Sequence, residues 1–135
     1  MDFDGSRIIG ASGDAVWALA TDVTRLTEWL PTVAAAHTTH DGKMVELEGE
    51  SHGHLYKLAS PWKTSASERT LEWRGNSGDG YAGSLRIVDE PSGSSEVRVH
   101  VSVPEERVNA FPGAEAEIKR GMEDALDRLS ALATR

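Results

Sequence analysis

Cysteine is absent from this 135-residue chain, and its absence excludes several kinds of chemistry together. Without a thiol, the chain forms no disulfide, uses no thiolate nucleophile and holds no zinc through cysteine ligands. Long apolar runs are also absent: no stretch of about 18 apolar residues occurs, so the sequence predicts no membrane span. The first ten residues, MDFDGSRIIG, are acidic and lack the apolar segment of a signal peptide. These absences together predict a cytoplasmic protein.

Positive charge is scarce relative to negative charge. The 14 Lys and Arg residues are outnumbered by 22 Asp and Glu residues, which gives a net charge of −8 at pH 7. The basic residues are also scattered along the chain, whereas proteins that bind nucleic-acid backbones present a basic patch. The composition therefore argues against a nucleic-acid partner. The length suits one globular domain with a core of its own, predicted over residues 1–135.

The motifs of nucleotide and metal sites are incomplete. Residues 78–83 (GDGYAG) match G-x-G-x-x-G letter for letter, but they precede a predicted strand. A dinucleotide site needs this motif to end a strand and open a helix, so a glycine-rich hairpin is the favoured interpretation. His52 and His54 lie on one side of a predicted strand, yet no third ligand stands at a suitable spacing. We therefore predict neither a cofactor nor a metal ion.

The most regular part of the chain is its last stretch, residues 112–135. Apolar residues recur there at steps of three and four, the period of one helix face: Ile118, Met122, Ala125, Leu129 and Leu132. A helix over about residues 112–133 would be roughly 33 Å long, and its apolar face must pack on a sheet because no other long helix is predicted. Gly121 costs roughly 1 kcal/mol relative to alanine in mid-helix. We expect the helix to bend or to pack closest there.

The preceding residues predict one strand, two short helices and about six antiparallel strands. Residues 3–10 form the first strand, and Ser12 suits the N-cap of the first helix. The second helix, over about residues 23–29, ends before Pro31 because proline disfavours a helical residue before it. Asp41-Gly42 predicts a hairpin, and Pro61 predicts an edge or bulge at the end of its strand. The clearest strand alternates valines over residues 97–103.

Several polar and aromatic residues share strand faces with typical core residues: His54, Tyr56, Trp62, Arg69, Trp73 and Tyr81. Each brings a donor that needs a partner when buried, whereas an apolar pocket with a few polar groups requires this mixture. We predict that these residues line a ligand cavity together with Ile118 and Met122 of the helix. The alternative is that the rings are ordinary core and that Arg69 forms an ion pair at the rim or extends into solvent.

The order of elements resembles the helix-grip fold of the SRPBCC superfamily, which includes START lipid-transfer domains, birch-pollen-allergen proteins and bacterial polyketide cyclase/dehydrase proteins. The segment GDAVWALATDVTRLTEWLPTV is similar to the family's passage after strand one, at Val16, Trp17, Leu19, Asp22, Trp29 and Pro31. The resemblance implies an α+β fold: a curved antiparallel sheet of about six to seven strands, wrapped around the long C-terminal helix, with two short helices after strand one. It also implies a cavity between sheet and helix that holds an apolar ligand.

Three functions fit these residues. The first is binding of a small hydrophobic or aromatic ligand, lipid or polyketide-like. The second is a cofactor-free polyketide cyclase, aromatase or dehydratase, in which His54 removes a proton and Arg69 or Tyr56 holds the enolate oxygen. The third is a protein-interaction module. The expected partner is a small hydrophobic ligand, the expected state is monomer or homodimer, and the sequence leaves open whether the chain is an enzyme.

Overall fold

The computed structural model describes residues 1–31, 33–39, 43–51, 54–74 and 80–135, and it gives no side-chain placement for Ser51, His54, Tyr56 and Leu58. The elements in chain order are β1 (Asp2–Ile9), α1 (Gly13–Ala20), a 3₁₀ turn (Val23–Arg25), α2 (Leu26–Trp29), β2 (Val33–Thr39), β3 (Met44–Ser51), β4 (His54–Ser65), β5 (Thr70–Arg74), β6 (Ala82–Asp89), β7 (Ser95–Ser102), α3 (Glu105–Val108) and α4 (Ala114–Ala133). The predicted α+β helix-grip architecture is confirmed, with seven strands in one curved antiparallel sheet.

The strands are ordered β1-β7-β6-β5-β4-β3-β2, so β1 and β2 lie at opposite edges of the sheet. The long strand β4 pairs with β3 over residues 54–61 and with β5 over residues 62–65. It therefore continues through Pro61 in the interior of the sheet, and the expected edge or bulge at Pro61 is wrong. The missing amide of Pro61 is tolerated because it falls where the strand changes partners.

Local signals place the helices after β1 correctly. The Ser12 hydroxyl accepts a hydrogen bond from the Ala15 amide at 3.2 Å, which caps α1, and Asp22 caps the 3₁₀ turn through the Thr24 amide at 3.1 Å. Helix α2 ends at Trp29, two residues before Pro31. The predicted hairpin at Asp41-Gly42 lies outside the described residues.

The main hydrophobic core lies where α1, α2 and the second half of α4 cover the inner face of the sheet. Its largest fully buried side chains are Ile9, Leu26, Leu71, Leu85, Leu126 and Leu129. A smaller cluster at the other end of the helix contains Phe3, Val103 and Val108, with Ile118 and Met122 packed against it. The second half of α4 therefore carries fully buried leucines, whereas the apolar residues Ile118 and Met122 in its first half are half-buried.

Helix α4 makes its close approach to the sheet at β1, and Gly5 permits it. A Cβ atom at Gly5 would lie 3.3 Å from the sulfur of Met122 and 3.4 Å from a methyl carbon of Leu126. By contrast, a Cβ atom at Gly121 would meet no atom within 4 Å. The expectation that the helix packs closest near Gly121 is therefore wrong, while the alternative, a bend there, stays a prediction. The glycine that allows close packing is Gly5 of the strand, and the helix residue that packs against it is Met122.

The outer face of β1 and β7 carries a histidine between two carboxylates. The Nδ1 atom of His100 lies 2.7 Å from a carboxylate oxygen of Asp4, and its Nε2 atom lies 3.8 Å from a carboxylate oxygen of Asp2. The hydrogen bond to Asp4, followed by the negative charges of Asp4 and Asp2, raises the pKa of His100 above its ordinary value of 6.5.

This raised pKa predicts a pH-dependent stability. Because protonated His100 is favoured in the folded state, its contribution is fully present below about pH 6.5 and is lost as the pH rises through the higher folded-state pKa. Urea denaturation should therefore show a larger loss of unfolding free energy for His100→Gln below about pH 6.5 than at about pH 9. In an NMR titration, Asp4→Asn should lower the pKa of His100. A wild-type minus His100→Gln difference that is constant with pH would contradict the assignment.

Candidate functional site

Aromatic side chains form a wall on the inner face of the sheet. Trp62 of β4 is paired directly with Trp73 of β5, and both are half-buried against the main core. Tyr81, just before β6, is half-buried against the smaller cluster. The Nε1 atom of Trp73 donates to the Tyr81 hydroxyl at 3.4 Å. We call Trp62, Trp73 and Tyr81 the aromatic wall.

The position of Trp73 depends on Gly83, its direct partner on β6. A Cβ atom at Gly83 would overlap with Cε2 and Cζ2 of the Trp73 indole. The last glycine of the G-x-G-x-x-G match is therefore a packing residue, because it leaves the space that the indole occupies. Gly80 of the same match has a φ of 88°, which suits a turn before the strand. Gly78 and Asp79 lie outside the described residues.

Helix α4 contributes two half-buried apolar side chains that share a cluster with Tyr81. Ile118 and Met122 are half-buried and pack against the same cluster as Tyr81. Together with the aromatic wall they form what we call the inner-face site. Of the predicted cavity residues, Tyr81, Ile118 and Met122 thus pack against the smaller cluster, whereas Trp62 and Trp73 pack against the main core. That all five line one cavity stays a prediction.

A cation lies at the Tyr81 end of this site. The guanidinium carbon of Arg107, an exposed residue of α3, lies 5.6 Å from the centre of the Tyr81 ring. That distance is within the range of a cation–π contact. The sequence patterns predicted no element over residues 105–108, so Arg107 was not among the expected site residues. A helix of four residues is too short for periodicity to identify.

Arg69 lies apart from the aromatic wall, at the rim of the sheet. It stands in the turn between β4 and β5 with a left-handed φ of 51°. Its guanidinium donates to Asp89 at 2.6 Å and also to Asp14. The hydrogen bond to Asp89, with the charges of both carboxylates, raises the pKa of Arg69. Gly13 makes room for this cluster, because a Cβ atom there would overlap with the Arg69 guanidinium and the Asp89 carboxylate.

This ion-pair cluster borders an open cleft of about 530 Å³ between α1, the β4–β5 turn and the end of β6. The cleft is lined by Asp14, Trp17, Ala66, Ser67, Glu68, Arg69, Arg86, Ile87, Val88 and Asp89. Trp73 stands four residues beyond Arg69, about 13 Å along an extended strand. Arg69 therefore lines a cleft at the rim, while the tryptophans line the inner face.

The remaining predicted cavity residues are His54 and Tyr56, whose side chains are not described. Their backbones pair with Ser51 and Gly49 of β3. Within the described ranges, no group of three His, Asp or Glu residues is arranged to hold a metal ion. No helix in those ranges combines the length and apolar character needed to cross a membrane.

A family model described as "Polyketide cyclase / dehydrase and lipid transport" matches residues 1–134. No curated protein sequence matches the chain.

Solved structures share the fold at low sequence identity. The Zhui aromatase/cyclase from Streptomyces sp. R1128 is 15% identical with a TM-score of 0.81, over 100% of this chain and 94% of that chain. A START superfamily protein from Mycobacterium smegmatis is 17% identical with a TM-score of 0.72, over 97% of this chain and 98% of that chain. The di-domain ARO/CYC BexL from the BE-7585A biosynthetic pathway is 15% identical with a TM-score of 0.70, over 99% of this chain and 45% of that chain. At these identities the likeness establishes the fold.

Proposed function

Because the chain belongs to the polyketide cyclase / dehydrase and lipid transport family, we propose that it binds a small hydrophobic or aromatic molecule at the inner-face site. The observation that carries this proposal is the partial exposure of large apolar side chains on the sheet and on the helix. Trp62 and Trp73 on the sheet and Ile118 and Met122 on the helix all retain accessible surface. Covering apolar surface contributes roughly 25 cal/mol per Å², so a ligand that fills the site gains affinity from both sides.

The packing of α4 supports the same location. The helix approaches β1 closely at Gly5. Its buried leucines, Leu126 and Leu129, pack in the main core with residues of α1 and α2. Trp62 and Trp73 belong to β4 and β5, which lie four and three strands away from β1, respectively, in the sheet. A ligand covering these rings would therefore lie on the side of the helix away from β1.

Cofactor-free cyclisation or dehydration is the second candidate, favoured by the family and by the likeness to aromatase/cyclases. This chemistry needs a base and an oxyanion-stabilising donor beside the bound ligand. Arg69, the donor predicted from the sequence, is instead held by Asp14 and Asp89 at the rim. The roles of His54 and Tyr56 stay predictions, as does the protein-interaction module. Ligand binding is therefore the better supported function.

Calorimetric titration tests the binding proposal with two carboxylate probes of different shape, anthracene-2-carboxylate and dodecanoate. The wild-type chain should bind at least one of them, and Trp62→Ala should weaken that binding at least tenfold by removing half of the tryptophan pair. Leu55→Ala is the matched control, because Leu55 is 86% exposed and lies on the same strand. Wild-type binding of neither probe, or equal affinities for Trp62→Ala and Leu55→Ala, would reject the site.

Chemistry is tested separately with His54→Ala and a linear poly-β-ketone probe. The binding proposal expects the wild-type chain to return the probe with the same product distribution as buffer alone. Cyclised product that appears with the wild type and disappears with His54→Ala would establish the cyclase instead.

A further inference from the structure

We propose that Gly83 selects the shape of the ligand by fixing the position of the Trp73 indole, and that the site prefers planar aromatic molecules over saturated chains. This inference rests on the proposed function and adds a specificity-determining residue and a ligand class to it. Gly83 itself is buried beneath the indole and exposes no side chain to a ligand, so it acts through Trp73.

The first step is steric. A Cβ atom at Gly83 would overlap with two carbons of the Trp73 ring and would lie 2.5 Å from its Nε1 atom. Real Cβ atoms essentially never come this close to another heavy atom, so the two groups cannot both keep their places. The obstacle is the body of a rigid ring rather than the end of a flexible chain. A methyl group at position 83 must therefore displace the indole.

The second step concerns where the displaced ring can go. Trp62 is the direct partner of Trp73 on β4, and directly opposed residues of an antiparallel pair have Cβ atoms about 5 Å apart. On the other side, Nε1 of Trp73 is bonded to the hydroxyl of Tyr81. The ring is therefore bounded within the sheet, and its displacement changes the surface that the aromatic wall presents to a ligand.

The third step gives the ligand class. The Nε1 atom of Trp73 donates to the Tyr81 hydroxyl, so Trp73 offers its ring surface to a ligand and not its hydrogen-bond donor. Aromatic rings gain offset-stacked or edge-to-face contacts with other rings beyond the area they bury, whereas a saturated chain gains the buried area alone. Two adjacent tryptophans held in fixed positions therefore favour a planar aromatic ligand.

The test uses the same two probes, which both carry one carboxylate and differ in shape. The wild-type chain should bind anthracene-2-carboxylate at least tenfold more tightly than dodecanoate. Gly83→Ala should weaken anthracene-2-carboxylate binding at least tenfold and dodecanoate binding less than threefold. Gly121→Ala is the control, because it adds the same methyl group where no atom lies within 4 Å. It should change neither affinity.

A substitution of Trp73 tests the contact between Gly83 and the indole by removing the ring, so the proposal can still be tested if Gly83→Ala folds poorly. Trp73→Leu should remove the preference for anthracene-2-carboxylate, and Gly83→Ala added to Trp73→Leu should change its affinity less than twofold. If the wild-type chain binds both probes but Gly83→Ala keeps the wild-type preference, or Trp73→Leu retains it, the inference is overturned while the binding function stands. If the wild-type chain binds neither probe, both are overturned.

Discussion

Replacing Leu129 with alanine is expected to lower the free energy of unfolding by about 3 kcal/mol, which is within the range for truncating a buried leucine and leaving a cavity in a packed core. Leu129 is fully buried in the main core, on the half of α4 that faces α1 and α2. Helices on one side and the sheet on the other enclose its side chain, so little can move in to fill the vacated volume. The large cost follows from that enclosure.

Urea denaturation followed by circular dichroism measures this loss, and Leu132→Ala provides the comparison. Leu132 lies three residues later on the same helix and is only partly buried against the same core. Its truncation should cost about 1 kcal/mol, because less apolar surface returns to water. Equal losses at the two positions would show that α4 is not anchored through Leu129.

A methyl group added at two different glycines should change stability in opposite directions. Gly83→Ala should lower the free energy of unfolding by about 2 kcal/mol, because the new Cβ atom forces the Trp73 indole from its place. Gly121→Ala should raise it by about 1 kcal/mol, because alanine is the better helix former and its Cβ atom meets no neighbour within 4 Å. The two variants thus differ by about 3 kcal/mol for the same chemical change.

Thermal or urea unfolding of the two variants measured in parallel decides this prediction. The near-ultraviolet circular dichroism of the tryptophans should change in Gly83→Ala and remain as in the wild type in Gly121→Ala. If Gly83→Ala is as stable as the wild type, the overlap with Trp73 is relieved without cost and the predicted destabilisation is wrong.

Much of the fold follows from local sequence. The three- and four-residue steps of α4, the alternating valines of β7 and the Ser12 cap each depend on residues only a few positions apart. Backbone hydrogen bonding and side-chain periodicity act over that same range, so these patterns predict their elements directly. The passage around Trp17 and Trp29 also identified the family, because it consists of packing residues typical of this fold.

Such patterns predicted only part of the candidate site. Strand alternation placed Trp62, Trp73 and Tyr81 on the inner face, and helix periodicity added Ile118 and Met122. No periodicity could predict that Arg69 is bound by Asp14, 55 positions earlier, and by Asp89, 20 positions later. Such pairs form only when the turn, the helix start and the strand end meet in space.

Apart from the short helix α3, the sequence by itself determined the kinds of element, their order and the inner-face character of the aromatic residues, because each depends on neighbours along the chain. Only the tertiary structure decided that Gly5 rather than Gly121 admits the long helix, and that Gly83 holds the space for Trp73. A glycine has no side chain whose hydrophobicity or period could indicate its role. Its effect is the volume it leaves for a residue on another element, and that volume exists only after strand register and helix placement are fixed.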